Sequence, residues 1–177
     1  MNFNHKQNDF FEFLFIITEL KKFMIQNLTY RKATINDLNT IVDLLLEDEL
    51  GQNRESKEPE LNQNYVDAFH KIDADHNQYL MVVESDKEIV ATCHLTIMPS
   101  LTFTGSVRMQ IEAVRVAEKH RGHKIGEWMM NAAITYAKSK GATILQLTTN
   151  KKRHRAKTFY EKIGFEASHE GMKLYLK

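Results

Sequence analysis

The stretch from Ile111 to Gly126 reads Ile-Glu-Ala-Val-Arg-Val-Ala-Glu-Lys-His-Arg-Gly-His-Lys-Ile-Gly. A strand pattern runs into a turn holding Arg121, Gly122 and Gly126, and a long helix pattern follows. The first N–H groups of a helix lack intrahelical partners and carry partial positive charge. Such an end binds phosphate, and glycines let the backbone approach the ligand closely. A glycine before a helix is as often only a tight turn, so this stretch alone leaves both readings open. His94 and His169 have no metal-ligand spacing, and neither a zinc site nor a dicarboxylate site is evident, so no metal is expected.

A strand, turn and helix of this kind need a sheet to hold them. Residues 28–33 read as a short strand. Thr34-Ile-Asn-Asp37 is a pattern that caps a helix start, and Leu38, Ile41, Val42 and Leu45 follow at helical spacing towards an end near Gly51. Residues 51–59 are polar and read as a loop. Residues 61–74 are predicted as a second helix with Tyr65, Ala68, Phe69 and Ile72 on one side. Residues 79–84 and 89–98 make a hairpin about Ser85-Asp-Lys-Glu88. A long strand over 106–116, a helix over 124–140 stopped by Gly141, a strand over 142–149 and a helix over 152–163 follow. Phe165 to Ala167 and Met172 to Leu176 are expected as final strands. Strands in both halves with helices between them imply a mixed α/β sheet.

Several motifs, in this order, resemble the GNAT acyltransferase family. The turn Arg121-Gly-His-Lys-Ile-Gly126 resembles its phosphate loop, Gln/Arg-x-x-Gly-x-Gly/Ala. Gln146-Leu-Thr-Thr-Asn150 ends the next strand, and Phe159-Tyr160 precedes Gly164-Phe165, as in the family. The likeness covers about residues 25 to 177. It is greatest for a bacterial small-molecule branch marked by Asp-Glu-Leu-Gly51, Asn-Arg54-Glu55, Gln110-Ile-Glu112 and Ser168-His-Glu-Gly-Met172. The resemblance implies a GNAT fold: α/β, with a mixed, mostly antiparallel sheet splayed between strands 4 and 5 and flanked by helices. It also implies acetyl-CoA as cosubstrate. The pantetheine arm would lie along Val114, Arg115 and Val116. The pyrophosphate would lie on the turn from Arg121 and Gly122 through His123, Lys124, Ile125 and Gly126 to Glu127, with Asn150 beside the cofactor. Lys124 departs from the pattern, standing at the family's middle glycine. With φ < 0 it costs little; with φ > 0 it costs about 1 kcal/mol or more.

Acyl transfer to an amine needs a neutral amine, stabilisation of the developing oxyanion and a proton for the leaving thiolate. Glu112, on the strand that should line the cleft, is the expected base; a surface carboxylate is the competing reading. Tyr160 matches the family's tyrosine near the thioester sulfur and is the expected acid; a core aromatic is the competing reading. The Val114 N–H is the expected oxyanion donor, and Arg54 and Glu55 are expected to border the acceptor. The expected function is transfer of acetyl from acetyl-CoA to the primary amine of a small molecule. The alternative is a non-catalytic CoA-binding sensor or regulatory module. Lys151, Lys152, Arg153, His154, Arg155 and Lys157 form a basic cluster, either a solvated helix start or an attractor for the CoA 3′-phosphate.

Composition narrows the classes. The 177 residues suit one domain with a real core. A net charge of +1 gives no push towards nucleic acid or membrane, so neither partner is expected. The single cysteine, Cys93, forms no internal disulfide and reads as a small core residue, which fits the cytoplasm. Residues 1–24 form an N-terminal extension ahead of the domain over 25–177. Asp9 and Glu12 interrupt its apolar run, which is too short for the ~20 residues of a bilayer span. A docking element, a natural start at Met24 and an interfacial helix are its three readings, in that order. A homodimer is compatible with the resembled family.

Overall fold

Thr34 and Asp37 form the predicted cap. The Thr34 N–H donates to Asp37 Oδ2 at 2.7 Å, and Thr34 Oγ1 donates to the same oxygen at 2.9 Å. The computed structural model describes residues 27–47, 49–52, 54–56 and 61–176. In it this cap joins strand β1 (Leu28–Lys32) through a 3-10 turn (Ile35–Asp37) to helix α1 (Leu38–Leu46). Arg31 locks the corner: its guanidinium donates to both Asp37 oxygens at 2.6 and 2.9 Å, and to Glu84 Oε1 at 2.7 Å. That guanidinium holds the Asp37 carboxyl down at a pKa of about 2.

A one-turn helix α2 (Glu49–Gln52) precedes α3 (Gln63–Ala74). The predicted hairpin follows as β2 (Gln78–Ser85) and β3 (Glu88–Pro99). Its turn residues Asp86 and Lys87 have φ of 50° and 69°, as a two-residue hairpin turn favours. Then come β4 (Val107–Val116), a 3-10 turn (Glu118–His120), α4 (Ile125–Ser139), β5 (Ala142–Leu147) and α5 (His154–Lys162). The strands lie in the order β1-β2-β3-β4-β5. The first three pairings are antiparallel, and β4–β5 is parallel because α4 crosses back between them.

The period-2 alternation of the central strands sorts the core into two layers. Met81, Val83, Cys93, Leu95, Met109 and Ile111 pack with Ile125, Met129, Met130 and Ala133 of α4. Leu80 and Val82 point the other way, to Leu38, Ile41 and Val42 of α1 and Phe69 of α3. Phe159 and Tyr160 of α5, and Ile163 just beyond its end, join the α4 layer. The result is the mixed sheet flanked by helices that the sequence implied.

Three expectations change. The first helix is not continuous to Gly51: it stops at Leu46 with Glu47 as its cap, and α2 is separate. Phe165 to Ala167 and Met172 to Leu176, expected as strands, are not strands. Met172, Leu174, Tyr175 and Leu176 stand exposed. Their alternation supplied local propensity, but a strand exists through a partner's hydrogen bonds, and none of the described strands pairs with them. Phe165 instead closes α5, its N–H donating to Tyr160 O at 3.0 Å beyond Gly164 at φ 99°. The N-terminal extension 1–24 and the reading of Met24 as a start lie outside the described residues.

Candidate active site

The sheet opens where β4 changes register. β3 and β4 pair regularly from Pro99–Val107 to His94–Glu112, and again at Thr92–Arg115 and Ala91–Val116. Between those runs Ala113 and Val114 stand against the one residue Cys93, which is a β-bulge. Ala113 takes φ 49°, left-handed for a residue with a Cβ, a strain of about 1–3 kcal/mol of the kind that collects at functional sites. The extra residue inverts the alternation. Met109 and Ile111 face the α4 layer before it, and Val114 and Val116 face the same layer after it. On the other edge, β5 pairs with β4 only up to Ile111–Leu147. Glu112 to Val116 therefore have no strand on that side among the described residues. Backbone groups along that edge can pair with an extended ligand, as an added strand would.

The turn beyond β4 exposes a helix start. Gly122 has φ 80°, and Lys124 has φ 62° where the family has glycine, so the lysine adopts the backbone that glycine would. The first intrahelical bond of α4 runs from Trp128 N to Lys124 O at 3.0 Å. The N–H groups of Ile125, Gly126 and Glu127 precede it, and no side chain of Lys124 caps them. Gly126 sits between layers: a Cβ there would lie 3.6 Å from both Val116 Cγ2 and Phe159 Cζ. The turn is braced from α1. Glu118 N–H donates to Glu47 Oε2 at 2.6 Å, and the Arg121 guanidinium lies 3.6 Å from the same carboxylate. Arg121 Nε also donates to Val116 O at 3.1 Å, and His123 Nδ1 lies 3.2 Å from His120 O. Arg121 thus shapes the turn with its side chain. The uncapped helix start and the open edge of β4 fit a diphosphate carrying an amide-containing arm.

Glu112 and Tyr160 sit on opposite faces of β4. Glu112 is exposed on the α1 and α3 face, with His94 as its partner across β3. His94 Nε2 lies 2.6 Å from Gln78 Oε1. Burial lowers the His94 pKa, and the Glu112 carboxylate opposes that shift. An amide oxygen only accepts, so Nε2 is the donor in this pair. Nothing in the linear order had marked His94 as a neighbour of Glu112. Tyr160 packs in the α4 layer with the Phe159 and Phe165 rings at 5.2 and 5.9 Å. Burial raises its phenol pKa, while Arg115 and Arg153 pull it the other way.

Asn150 Oδ1 accepts from Lys152 N at 2.9 Å, so this side chain shapes the entry to α5. Arg115 Nη1 donates to Val114 O at 2.8 Å. Arg54 and Glu55 both donate their N–H to Gly51 O at 2.8 Å. Glu55 Oε2 accepts from Tyr65 OH at 2.8 Å, which ties the α2–α3 loop to the α3 wall of the site. Cys93 is fully buried and its thiol is pushed up to about 12, so it is no nucleophile. Among the described residues no group of three or more His, Cys, Asp or Glu could hold a metal ion, and no helix is long and apolar enough to cross a membrane.

The fold has counterparts among solved structures. A solved protein described as a transcriptional regulator from Bacillus halodurans C-125 is 44% identical, with a TM-score of 0.82 over 84% of this chain and 99% of its own. A putative acetyltransferase from Agrobacterium tumefaciens is 24% identical, with a TM-score of 0.73 over 84% of this chain and 99% of that one. A predicted acetyltransferase with acetyl-CoA from Clostridium acetobutylicum is 20% identical, with a TM-score of 0.64 over 84% of this chain and 96% of that one. These last two likenesses concern the fold. No curated protein matches the chain. The acetyltransferase (GNAT) family model matches residues 38–165, which span the α1 face, the β4 bulge, the α4 turn and Tyr160, and on that match the chain belongs to the GNAT acetyltransferase family.

Proposed function

We propose that the protein moves the acetyl group of acetyl-CoA to the primary amine of a small molecule by direct attack, in the cytoplasm, with residues 25–177 as the catalytic domain. One observation carries this reading: the Ala113–Val114 bulge, beside an open strand edge that leads to an uncapped helix start. The N–H groups of Gly122 to Glu127 hold the pyrophosphate, and Val114 to Val116 pair with the pantetheine amides. When bound, acetyl-CoA supplies an activated acyl carbon.

The chain's own residues do the rest. Glu112 takes a proton from the incoming ammonium, whose ordinary pKa of about 10 keeps it protonated at neutral pH. Val114 N–H donates to the thioester oxygen as negative charge develops there. The neutral nitrogen bonds to the acyl carbon as the C–S bond breaks; Tyr160, whose phenol burial holds protonated, gives its proton to the leaving sulfur and regains one through water from the new amide nitrogen. Arg54 and Glu55 border the acceptor, with Glu55 held by Tyr65.

A second reading, a CoA-binding regulatory module without turnover, is favoured by the description of the B. halodurans relative as a transcriptional regulator. Thiol release from acetyl-CoA across an amine library separates the two. Amine-dependent release supports the enzyme. Saturable acetyl-CoA binding with no release over any amine supports the regulatory module.

A further inference from the structure

A cavity of about 130 Å³ lies between α1, α3 and the sheet face that carries His94 and Ala113. Most of its wall is apolar, from Ile41, Leu45, Phe69 and Leu80 among others. Three of its lining residues carry polar side chains, and each already makes a hydrogen bond within the protein, His94 through Nε2 alone. Thr92 Oγ1 donates to Met81 O at 2.8 Å. Tyr65 OH donates to Glu55 Oε2 at 2.8 Å. His94 Nε2 lies 2.6 Å from Gln78 Oε1. A hydroxylated ligand entering here would lose its water and find few partners, which is costly. An apolar group meets no such cost. A cavity of about 150 Å³ lined by Leu, Ile and Phe takes up benzene, so this one is of a size for a single ring or a branched alkyl group.

The cavity also lies beside the chemistry. Ala113, the left-handed residue of the bulge, is part of its wall and is bonded directly to Glu112 and Val114. An apolar group seated in the cavity would leave an amine on a short tether at the bulge. We infer that the acceptor is a primary amine with an aryl or branched-alkyl group, and that this cavity selects it against amino sugars and amino alcohols. This inference rests on the acetyl-transfer reading above and names the acceptor class for that same site.

The test uses the full chain with CoA present. Calorimetry compares 2-phenylethylamine and 3-methylbutylamine with ethanolamine and glucosamine, and thiol release from acetyl-CoA gives kcat/KM for the same four. The two apolar amines should bind, and their kcat/KM should exceed that of ethanolamine by about 10- to 100-fold, the value of burying one such group. Ala68 lines the cavity from an exposed position on α3, so Ala68→Phe fills it with little disturbance to the core. This variant, checked as folded by its thermal transition, should lose at least about ten-fold in 2-phenylethylamine affinity. Leu45→Ala enlarges the same cavity and should shift preference towards the larger ring of tryptamine. Equal or tighter binding of glucosamine or ethanolamine, or an Ala68→Phe variant that binds 2-phenylethylamine as before, overturns the inference. The two readings fail separately. Binding of 2-phenylethylamine that Ala68→Phe abolishes, with no thiol release from any amine, supports the cavity assignment and sinks acetyl transfer. Fastest release with ethanolamine leaves acetyl transfer standing and sinks the assignment.

Discussion

Replacing Lys124 with glycine separates the backbone role of the α4 turn from the role of charge. Lys124 sits at φ 62° and ψ 8°, where a Cβ crowds the backbone at a cost of roughly 1–2 kcal/mol. Glycine removes that cost but adds freedom to the unfolded chain, which takes back about 0.4–1 kcal/mol. Lys124→Gly should therefore stabilise the protein by about 0.5–1 kcal/mol. For a chain of this size that raises Tm by about 1–4 °C. The lysine is exposed, so its charge near a bound pyrophosphate should contribute no more than about 1 kcal/mol, or roughly five-fold in acetyl-CoA Kd. Differential scanning calorimetry gives the first quantity and titration calorimetry the second. A fall in Tm would refute the strain argument, because the lysine would then be making a contact worth more than its backbone cost. A loss of affinity beyond about ten-fold would refute the screening argument and make the ammonium a phosphate anchor.

Four further outcomes are expected. Gly126→Asp places a carboxylate in the first turn of α4, where it suits the helix dipole, and its Cβ meets only ordinary contacts; Tm should hold or rise while acetyl-CoA affinity falls at least about ten-fold by calorimetry. Glu112→Gln should lower kcat/KM at pH 7 by about 10²–10⁴-fold and recover as pH rises and free amine becomes abundant; normal turnover at pH 7 would leave Glu112 a surface carboxylate. Tyr160→Phe should lower kcat more than it changes acetyl-CoA affinity, and because burial raises this phenol above its ordinary 10.0, wild-type kcat should not decline below that pH through loss of this proton. Asp37→Asn should cost about 1–2 kcal/mol at pH 7 in urea titrations, after screening of the half-exposed Arg31. The Asp37 pKa is depressed from 3.8 to about 2, so the contribution is complete above the unfolded value and is lost as pH falls through the folded one. The gap between variant and wild type should shrink to roughly half by pH 3, and a gap that stays constant down to that pH would contradict the ion pair.

Local rules fixed much of the architecture from residue order alone. The Thr34–Asp37 cap, the Asp86-Lys87 turn and the helix-terminating Gly141 act over a few bonds, and the structure keeps each of them. The helical spacing of Leu38, Ile41, Val42 and Leu45 likewise named a face that is buried or lines the cavity. The turn from Gly122 to Gly126 into α4 was legible because a tight turn before a helix needs only contiguous backbone, whereas its role towards phosphate was not decided by that stretch alone. Pairing was not legible in the same way. The alternation of Met172 to Leu176 looks like a strand, but no neighbouring edge was within the reach of local rules to supply its hydrogen bonds. The sign of φ at Lys124, left open by the sequence, was decided by how the turn is held between Val116, Glu47 and α4. The bulge at Ala113, the end of β4–β5 pairing at Leu147 and the meeting of His94 with Glu112 all depend on register between strands. Register is set by the whole core at once: one extra residue in β4 turns Val114 and Val116 towards α4 and leaves Ala113 to the opposite cavity. The sequence by itself therefore determined most of the helices, the hairpin and the turn into α4, whereas the open edge of β4 and the cavity wall at Ala113 arose only when the strands paired.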